Sequence, residues 1–537
     1  MKRLSALTLA ALFLFSLPSA LNAAPPPDDV LVVAKRIDDV ISLDPAEVFE
    51  FSGAEIIANI YDRLVAFDPE DVTKLYGGAA ESWEVSADGR IFRFKMRPDM
   101  RFHSGNPVTA EDAAWSLRRV IMLNKSPSFI LGQFGLTREN VGEKIYVEDD
   151  DATLVIELDK PYAPTFLLYC LTSGIGSVLE RRAVLAHEQD GDLGHRWLKR
   201  HSAGSGPFVL KSWRANEYAI LEGWPEYWGG APIMRRLVFQ HIAEPATQRL
   251  MLEKGDVDVA RDLTPDQADG LKGDPAIRLR HVPKGMMLYL GLNQKNPVLA
   301  DPKVVEAFKY LVNYQGIADH IVRDKGVIHQ TIIPRGLFGA LNETPYGFDP
   351  ALARTLLAEA GYGDGFDLTL DTRHGSPNIE IAQALQAGFS QAGIRLEILT
   401  GDDKQVLTKY RARNHDIFLG EWGIDYQDPH SNADAFAANT DNGPDAMFRT
   451  LAWRNSWTDT GLTALTGAAI LEGDAATREA MYHDIQRRML ATSPFVILFQ
   501  GVDLVAEAED VSGIIWGPSF DSNFYRFATK DGKGEKP

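Results

Sequence analysis

Residues 366–399, FDLTLDTRHGSPNIEIAQALQAGFSQAGIRLEIL, contain the two hydrophobic patterns that together define an α/β fold. Residues 366–370 predict a strand, and residues 394–399 predict a second one. Between them, residues 378–392 place their apolar side chains on one face of a helix, and Gly393 follows as a helix terminator. A strand, a helix and a strand in this order form a βαβ unit, so the second half of the chain is predicted to be α/β.

A short apolar run at residues 417–419 predicts the next buried strand. It leads into residues 420–436, GEWGIDYQDPHSNADAF, which we interpret as a functional loop. Here Trp422 and Tyr426 lie close in sequence to Asp425. An aromatic wall beside a carboxylate suits a small ligand that carries an ammonium group. The alternative is a solvated loop with a structural tryptophan, and the residues alone leave both interpretations open.

Arg373 follows the predicted strand 366–370. The carboxyl ends of strands are where α/β sheets present ligand-binding groups. A guanidinium there can bind a carboxylate through two parallel hydrogen bonds. The alternative is an ordinary exposed arginine.

The N-terminus has the pattern of a secretory signal peptide. Lys2 and Arg3 precede an apolar run at residues 4–17, and small residues follow as far as Ala24. The run is shorter than the roughly 20 residues of a membrane span. We predict residues 1–24 to be removed and the mature chain to be periplasmic. No cysteine follows the signal directly, so a lipoprotein anchor is not expected.

Composition narrows the class of protein further. The chain has 537 residues, a net charge of −19 and one cysteine, Cys170. The negative charge argues against nucleic acid or an anionic membrane as a partner. A single cysteine allows no internal disulfide, so the fold must depend on its hydrophobic core. The length predicts two or more domains, and the hydrophobic pattern changes from β-rich to α/β near residue 283. A cleft between two lobes is then the expected ligand site.

No motif for catalysis or metal binding is convincing. His187, Glu188 and His195 lack the spacing of a metal-binding helix. Ser205 lies between two glycines without the pattern of a nucleophile elbow. The sequence therefore predicts no catalytic residue, no metal and no cofactor.

Six segments, in this order, resemble the family 5 bacterial extracellular solute-binding proteins of ABC transporters. The first contains RFHSGNPVTAED, and the last resembles the family pattern G-W-x-x-D-Y-x-D-P. Glu421 and Asn313 differ from the family pattern. The six segments are residues 80–116, 204–232, 246–258, 290–321, 349–362 and 420–436.

The resemblance implies a two-lobed periplasmic-binding-protein fold of type II, an α/β fold with mixed sheets flanked by helices and an extra inserted subdomain. The chain would cross between the lobes near residues 283 and 494, and the tail 531–537 would be disordered. The implied units are lobe I (25–57, 201–282 and 495–530), the inserted subdomain of lobe I (58–200) and lobe II (283–494).

The resemblance also implies roles for individual residues. In peptide-binding members an aspartate of the last motif pairs with the ligand ammonium, and the matching residue here is Asp425. Trp422 and Tyr426 would line the pocket, and Arg373 would take a carboxylate. A short helix is predicted at residues 54–61, and three residues just before it would face the pocket from lobe I: Glu50, Phe51 and Ser52.

The implied function is that of a monomeric, non-enzymatic, periplasmic component of an ABC importer. It would bind a peptide or peptide-like solute and deliver it to permease subunits in the inner membrane. One alternative is the same fold binding an opine, a sugar conjugate, haem or a nickel chelate. A second alternative is a secreted hydrolase.

Overall fold

A computed structural model describes residues 26–68 and 71–530. The predicted signal peptide and the predicted disordered tail lie outside this range. The strands are β1 (Val30–Lys35), β2 (Val65–Phe67), β3 (Leu75–Gly77), β4 (Ala80–Val85), β5 (Ile91–Met96), β6 (Ile145–Val147), β7 (Thr153–Glu157), β8 (Phe208–Arg214), β9 (Tyr218–Gly223), β10 (Arg236–His241), β11 (Val259–Ala260), β12 (Ile277–Leu292), β13 (Gly326–Ile328), β14 (Asp367–Arg373), β15 (Arg395–Gly401), β16 (Ile417–Gly423), β17 (Phe495–Ala508), β18 (Ile515–Trp516) and β19 (Asn523–Phe524).

Helices cover the faces of the sheets, and short 3₁₀ turns lie at Ser126–Ser128, Gly174–Gly176 and Phe520–Ser522. The α-helices are α1 (Phe51–Ala58), α2 (Ala110–Leu123), α3 (Phe129–Gly132), α4 (Val141–Lys144), α5 (Pro164–Leu171), α6 (Arg181–Leu185), α7 (His195–Leu198), α8 (Pro245–Glu253), α9 (Pro265–Asp269), α10 (Pro302–Leu311), α11 (Tyr314–His320), α12 (Pro350–Glu359), α13 (Asn378–Ser390), α14 (Asp403–Arg411), α15 (His430–Ala437), α16 (Leu451–Arg454), α17 (Thr460–Ala469) and α18 (Ala475–Thr492).

The main sheet has the order β15-β14-β16-β12-β17-β11-β1-β10-β9-β8, with β13 paired to β17. The strands at its two ends belong to different lobes. β14 is parallel to β15 and β16 in the second lobe, and β1 is parallel to β10 and β11 in the first lobe. The long antiparallel pair β12–β17 runs through both lobes and joins them. The sheet is therefore mixed, as predicted.

Both chain crossings lie in the middle of this long pair. The first crossing is expected near residue 283, and the pairing of β12 with β17 shifts register close to this position, between Pro283 and Met287. The second crossing differs from the expected position 494. Val496 and Phe499 of β17 pack in the core of the second lobe, whereas Val505 packs in the first. The chain therefore passes from the core of the second lobe to the core of the first lobe between Phe499 and Val505, inside the strand.

The inserted subdomain has its own antiparallel sheet, β4-β5-β7-β6. Apart from Ala46 and Tyr426, the buried residues of its core lie between Leu64 and Val178 in the sequence. Val184 and Leu198, by contrast, pack in the core of the first lobe. The inserted unit therefore ends near residue 178 by its packing, rather than at residue 200, because α6 and α7 cover the first lobe.

Local signals in the sequence account for most of the secondary structure. The βαβ unit is present as β14, α13 and β15. Thr109 begins α2 with the expected capping box, in which its hydroxyl accepts a hydrogen bond from the Asp112 N–H. Asp349 caps α12.

Helix α1 differs from its prediction, because it begins at Phe51 and not at residue 54. The Asp39 carboxylate accepts a hydrogen bond of 2.9 Å from the Ser52 N–H, and this stabilises an earlier first turn. The stretch 420–436 also differs. It is the end of β16, a bend at residues 424–429, and α15, rather than one loop. In the part of the chain that the structure describes, no helix has the length and apolar character needed to span a bilayer.

Candidate functional site

A cavity of about 420 Å³ lies where α1, the bend after β16 and the 3₁₀ turn Phe520–Ser522 meet. This volume is in the range of small-ligand sites. Its floor includes Gly285 and Met286, at the first crossing between the lobes. Because both lobes and the crossing contribute to its surface, a ligand in this cavity contacts all three.

The wall of the first lobe is built on α1. Phe51 lines the cavity and stacks on Phe520 with 4.1 Å between ring centroids. The helix is held in place by Glu55, which is completely buried and pairs with Lys35 and Arg261 at 2.5 and 2.7 Å. These positive charges hold the pKa of Glu55 well below its usual range in spite of burial. Phe51 therefore contributes an aromatic ring to the cavity wall, and these ion pairs anchor the helix that carries it.

Glu50 and Ser52 are next to Phe51 in sequence but do not line the cavity. Ser52 is buried, and its hydroxyl donates to the Arg36 carbonyl at 3.1 Å. Glu50 is half-buried, which raises its pKa, and its carboxylate accepts a hydrogen bond from the Phe49 N–H at 3.2 Å. Since α1 starts at Phe51, consecutive side chains point to different sides of the helix, and only one of the three predicted residues reaches the cavity.

The wall of the second lobe comes from the end of β16 and the bend after it. The Ile424 N–H donates to the Gly285 carbonyl at 2.9 Å, which attaches the bend to the crossing strand. The Asp425 N–H donates to the Ser431 hydroxyl at 2.8 Å. The backbone of Asp425 is therefore fixed from both sides, while its carboxylate faces the cavity lining.

The Asp425 carboxylate is a charged group of this cavity with an unusual environment. Within residues 26–68 and 71–530 it accepts no hydrogen bond and forms no ion pair. Burial raises the pKa of Asp425 to about 7, the charge of Asp434 adds to this rise, and Arg454 opposes it. A carboxylate that is desolvated without a partner is costly, so a cationic group of a ligand would find a strong site here.

Trp422 and Tyr426 both line this cavity. The indole N–H of Trp422 is buried and has no hydrogen-bond acceptor among the described residues, so it is a donor available to a ligand. Tyr426 has a second role. Its ring packs in the core of the inserted subdomain near Phe166, and its hydroxyl donates to Gln133 at 3.4 Å. The bend thus joins the second lobe to the inserted subdomain.

Arg373 ends β14 and lies outside the cavity lining. Two other arginines of the second lobe line the cavity instead, Arg411 at the end of α14 and Arg454 at the end of α16. No motif in the sequence marks these two residues. They come from separate helices, and only the packing of the lobe brings them to the same surface.

A second cavity of about 520 Å³ lies between the first lobe and the inserted subdomain. Its buried acid, Asp62, is fully hydrogen-bonded by Ser205, Tyr227 and Trp228 at 2.9, 2.8 and 3.1 Å. Burial nevertheless raises the pKa of Asp62 to about 6. Because its acid is satisfied by the protein itself, this cavity is a weaker candidate for ligand binding than the one at Asp425.

Within the described residues, no group of three or more His, Cys, Asp or Glu side chains is arranged to hold a metal ion.

Residues 74–444 match the family model described as the middle region of bacterial extracellular solute-binding proteins, family 5. The chain belongs to this family, and its class is that of the two-lobed extracellular solute-binding proteins.

Individual relatives cover nearly the whole chain. A protein of Escherichia coli strain K12, described as the probable D,D-dipeptide-binding periplasmic protein DdpA, is 27% identical over 523 residues, which are 96% of this chain and 97% of the relative. The periplasmic binding protein DppA of Helicobacter pylori, in complex with the peptide STSA, has a TM-score of 0.76 and 24% identity, with 94% of this chain and 98% of that chain covered. NikZ of Campylobacter jejuni, in complex with Ni(L-His), has a TM-score of 0.75 and 21% identity, with 94% and 100% covered.

Proposed function

We propose that this protein is the periplasmic substrate-binding component of an ABC importer for peptides or peptide-like solutes. The ligand lies in the cavity between the lobes, and the loaded protein delivers it to permease subunits in the inner membrane. It acts as a monomer, without catalysis. Its N-terminal residues 1–24 are removed on export.

The observation that carries this proposal is the unpartnered Asp425 carboxylate in a cavity shared by both lobes. A ligand ammonium at this position would replace the missing partner and restore the charged form of the acid. Phe51 and Trp422 then supply apolar surface from opposite lobes. A ligand shifts an open–closed equilibrium only by its greater affinity for one state, and groups from both lobes supply that difference when the lobes close.

A peptide is preferred over a metal chelate as the proposed ligand for two reasons. The polar groups available in the cavity are a carboxylate, an indole N–H and two guanidinium groups, which suit a zwitterion. A relative that matches nearly the whole chain in sequence is described as a probable D,D-dipeptide-binding protein, whereas the nickel-binding protein is similar in fold only.

The test is calorimetric titration of the purified protein with a panel of dipeptides and tripeptides, each also offered with an acetylated N-terminus. We expect stoichiometric binding of free peptides and none of the acetylated ones. Asp425→Ala should weaken binding by about 100-fold or more, because it removes one partner of a buried charge pair. Asp445→Ala, an exposed aspartate outside the cavity, is the matched control and should bind normally.

Native mass spectrometry of the protein as purified separates the alternatives. A retained ligand that fragments into amino acids supports the proposal. A retained opine, sugar conjugate, haem or metal chelate would replace the peptide with that ligand class. Turnover of peptides without retention would favour a hydrolase and overturn the proposal.

A further inference from the structure

The two walls of the ligand cavity differ in chemical character. Charged side chains of the second lobe line it, among them Arg411, Asp425 and Arg454. Asp521 lines it from the first lobe and pairs with Arg63 at 3.2 Å. One side of the cavity thus suits the charged groups of a ligand, and the other suits an apolar group. The apolar side chains of the first lobe and the inserted subdomain in this lining include Val48, Phe49, Phe51, Ile57, Ile130 and Ile175.

Phe49 and Phe51 are the members of the apolar wall that meet solvent. They are 42% and 47% exposed, whereas Ile57 and Ile130 of the same wall are each 1% exposed. Side chains of this size and type are usually buried. Covering exposed apolar surface is favourable because it removes that surface from water, and exposed apolar patches inside a cleft are typical of ligand-binding surfaces. An apolar group of a ligand would therefore gain affinity here.

A neighbouring ring holds each of the two exposed rings in place. Phe51 stacks on Phe520, with 4.1 Å between ring centroids and 24° between ring planes. Phe49 packs edge-to-face on Phe129, with 6.1 Å between centroids and 88° between planes. Both geometries are favourable for aromatic pairs. Because the rings are already ordered, a ligand that contacts them pays little additional side-chain entropy on binding.

The apolar wall lies close to the segment that carries Asp425. A methyl group added at Gly423, the last residue of β16, would lie 3.6 Å from the ring of Phe51. This is ordinary van der Waals distance, so the Phe51 ring reaches across to the second lobe two positions before Asp425. A ligand whose ammonium pairs with Asp425 can therefore place a side chain against the rings of the first lobe.

We propose that Phe49, Phe51 and Phe520 form a side-chain subsite that selects peptides with a large apolar residue. The inference rests on the proposed function, in which Asp425 binds the ligand ammonium. The apolar side chain of the ligand covers the exposed rings of the first lobe, while its charged groups remain with the second lobe. A polar side chain of the same size would lose its hydrogen bonds to water without gaining partners from these rings, which lowers its affinity.

The test is calorimetric titration with two pairs of dipeptides, Ala-Leu against Ala-Asn and Leu-Ala against Asn-Ala. Leucine and asparagine have nearly the same shape and differ in polarity. We expect the wild-type protein to bind the leucine peptide at least about tenfold more tightly in one pair or both, since burial of a large apolar side chain is favourable by about this factor or more. The double variant Phe49→Ala/Phe51→Ala should lose most of this preference. Phe448→Ala removes a ring that is 71% exposed and outside the cavity lining, and it should keep the preference.

The outcomes separate this inference from the proposed function. Equal affinities within both pairs, with binding still weakened in Asp425→Ala, would overturn the apolar subsite and leave the peptide function intact. Binding of no peptide would overturn both, and a full preference in the double variant would refute the assignment to these rings.

If the double variant does not fold, the heat capacity change of binding to the wild-type protein decides. Burial of apolar surface makes this change more negative. The leucine peptide should therefore give a more negative heat capacity change than the asparagine peptide of the same pair, and equal values would refute the proposal.

Discussion

Asp425 and Asp428 lie three residues apart in the same bend but are in opposite electrostatic situations. Asp428 is 0% exposed, and Arg478, 1% exposed, binds both of its oxygens at 2.8 Å. Arg478 also donates to Thr165 of the inserted subdomain at 3.2 Å. Asp425 has no such partner and borders the ligand cavity. One aspartate holds the bend in place, and the other is left for the ligand.

The same difference separates charged groups that stabilise the fold from charged groups that are available to a ligand. Asp428 and Glu55 are buried with their counter-charges, as buried ions must be if the fold is to be stable. Asp425, by contrast, borders the cavity and accepts no hydrogen bond from the residues that the structure describes. Unsatisfied charge in a cavity lowers stability before binding and increases the gain on binding, which is the pattern expected of a binding protein.

The largest effect is expected from breaking the structural pair. Asp428→Ala leaves Arg478 buried and uncompensated, so we expect a loss of about 3–5 kcal/mol in the free energy of unfolding. Denaturant unfolding followed by circular dichroism measures it. The double variant Asp428→Leu/Arg478→Met removes both charges and should recover much of the loss. A loss in the single variant that the double variant does not reduce would mean that side-chain packing, and not the unpaired charge, dominates.

The second largest effect is expected on the affinity for peptide when the pH is lowered. Because the pKa of Asp425 is about 7 in the free protein, the carboxylate becomes protonated below neutral pH and can no longer pair with an ammonium. We expect peptide affinity to fall by roughly tenfold between pH 7.5 and pH 6. Calorimetric titration at several pH values measures this, with thermal unfolding at each pH as the control. A dissociation constant that stays constant down to pH 5.5 would contradict the pairing.

The smallest effect is on the stability of the unliganded protein. The pKa of Asp425 is raised from its ordinary value near 4, so the folded protein keeps a proton that the unfolded chain loses between pH 4 and pH 7. Stability due to this group therefore falls as pH rises through that window. Asp425→Asn should be more stable than wild type at pH 8, by about 1 kcal/mol after allowance for the partial exposure of the side chain.

Thermal unfolding of Asp425→Asn and wild type at pH 4 and pH 8 tests this expectation. The two proteins should differ little at pH 4, because this is close to the ordinary pKa of aspartate and the pH-dependent loss of stability is only beginning there. An equal difference at both pH values would show that the substitution acts through packing instead of charge.

Local sequence signals predicted the helices and strands, whereas groups distant in the sequence determined where some of them begin. The βαβ unit at residues 366–399 was read correctly because hydrophobic period and capping residues act within a few positions. The start of α1 was displaced by three residues because its first turn is capped by Asp39, twelve residues before Phe51. For the same reason Glu50 and Ser52 were expected at the cavity and are not there.

The candidate site likewise contains residues that the sequence could identify and residues that it could not. Trp422, Asp425 and Tyr426 could be selected from sequence because an aromatic and acidic cluster is visible within five positions. Arg411 and Arg454 could not be selected in this way, since they are 43 positions apart in the sequence and lie at the ends of two different helices. The position of the second crossing could not be predicted from the sequence either, because β17 is one continuous strand that passes from one core to the other in its middle.

The sequence by itself determined the family, the α/β character and the motif that carries Asp425, since periodicity and local motifs are properties of neighbouring residues. Only the tertiary structure decided which aspartate of the bend is neutralised and which is left open. That depends on Arg478, 50 residues further along the chain. The energy of a buried charge is set by the groups packed around it, and those groups come from segments that are close only in the folded protein.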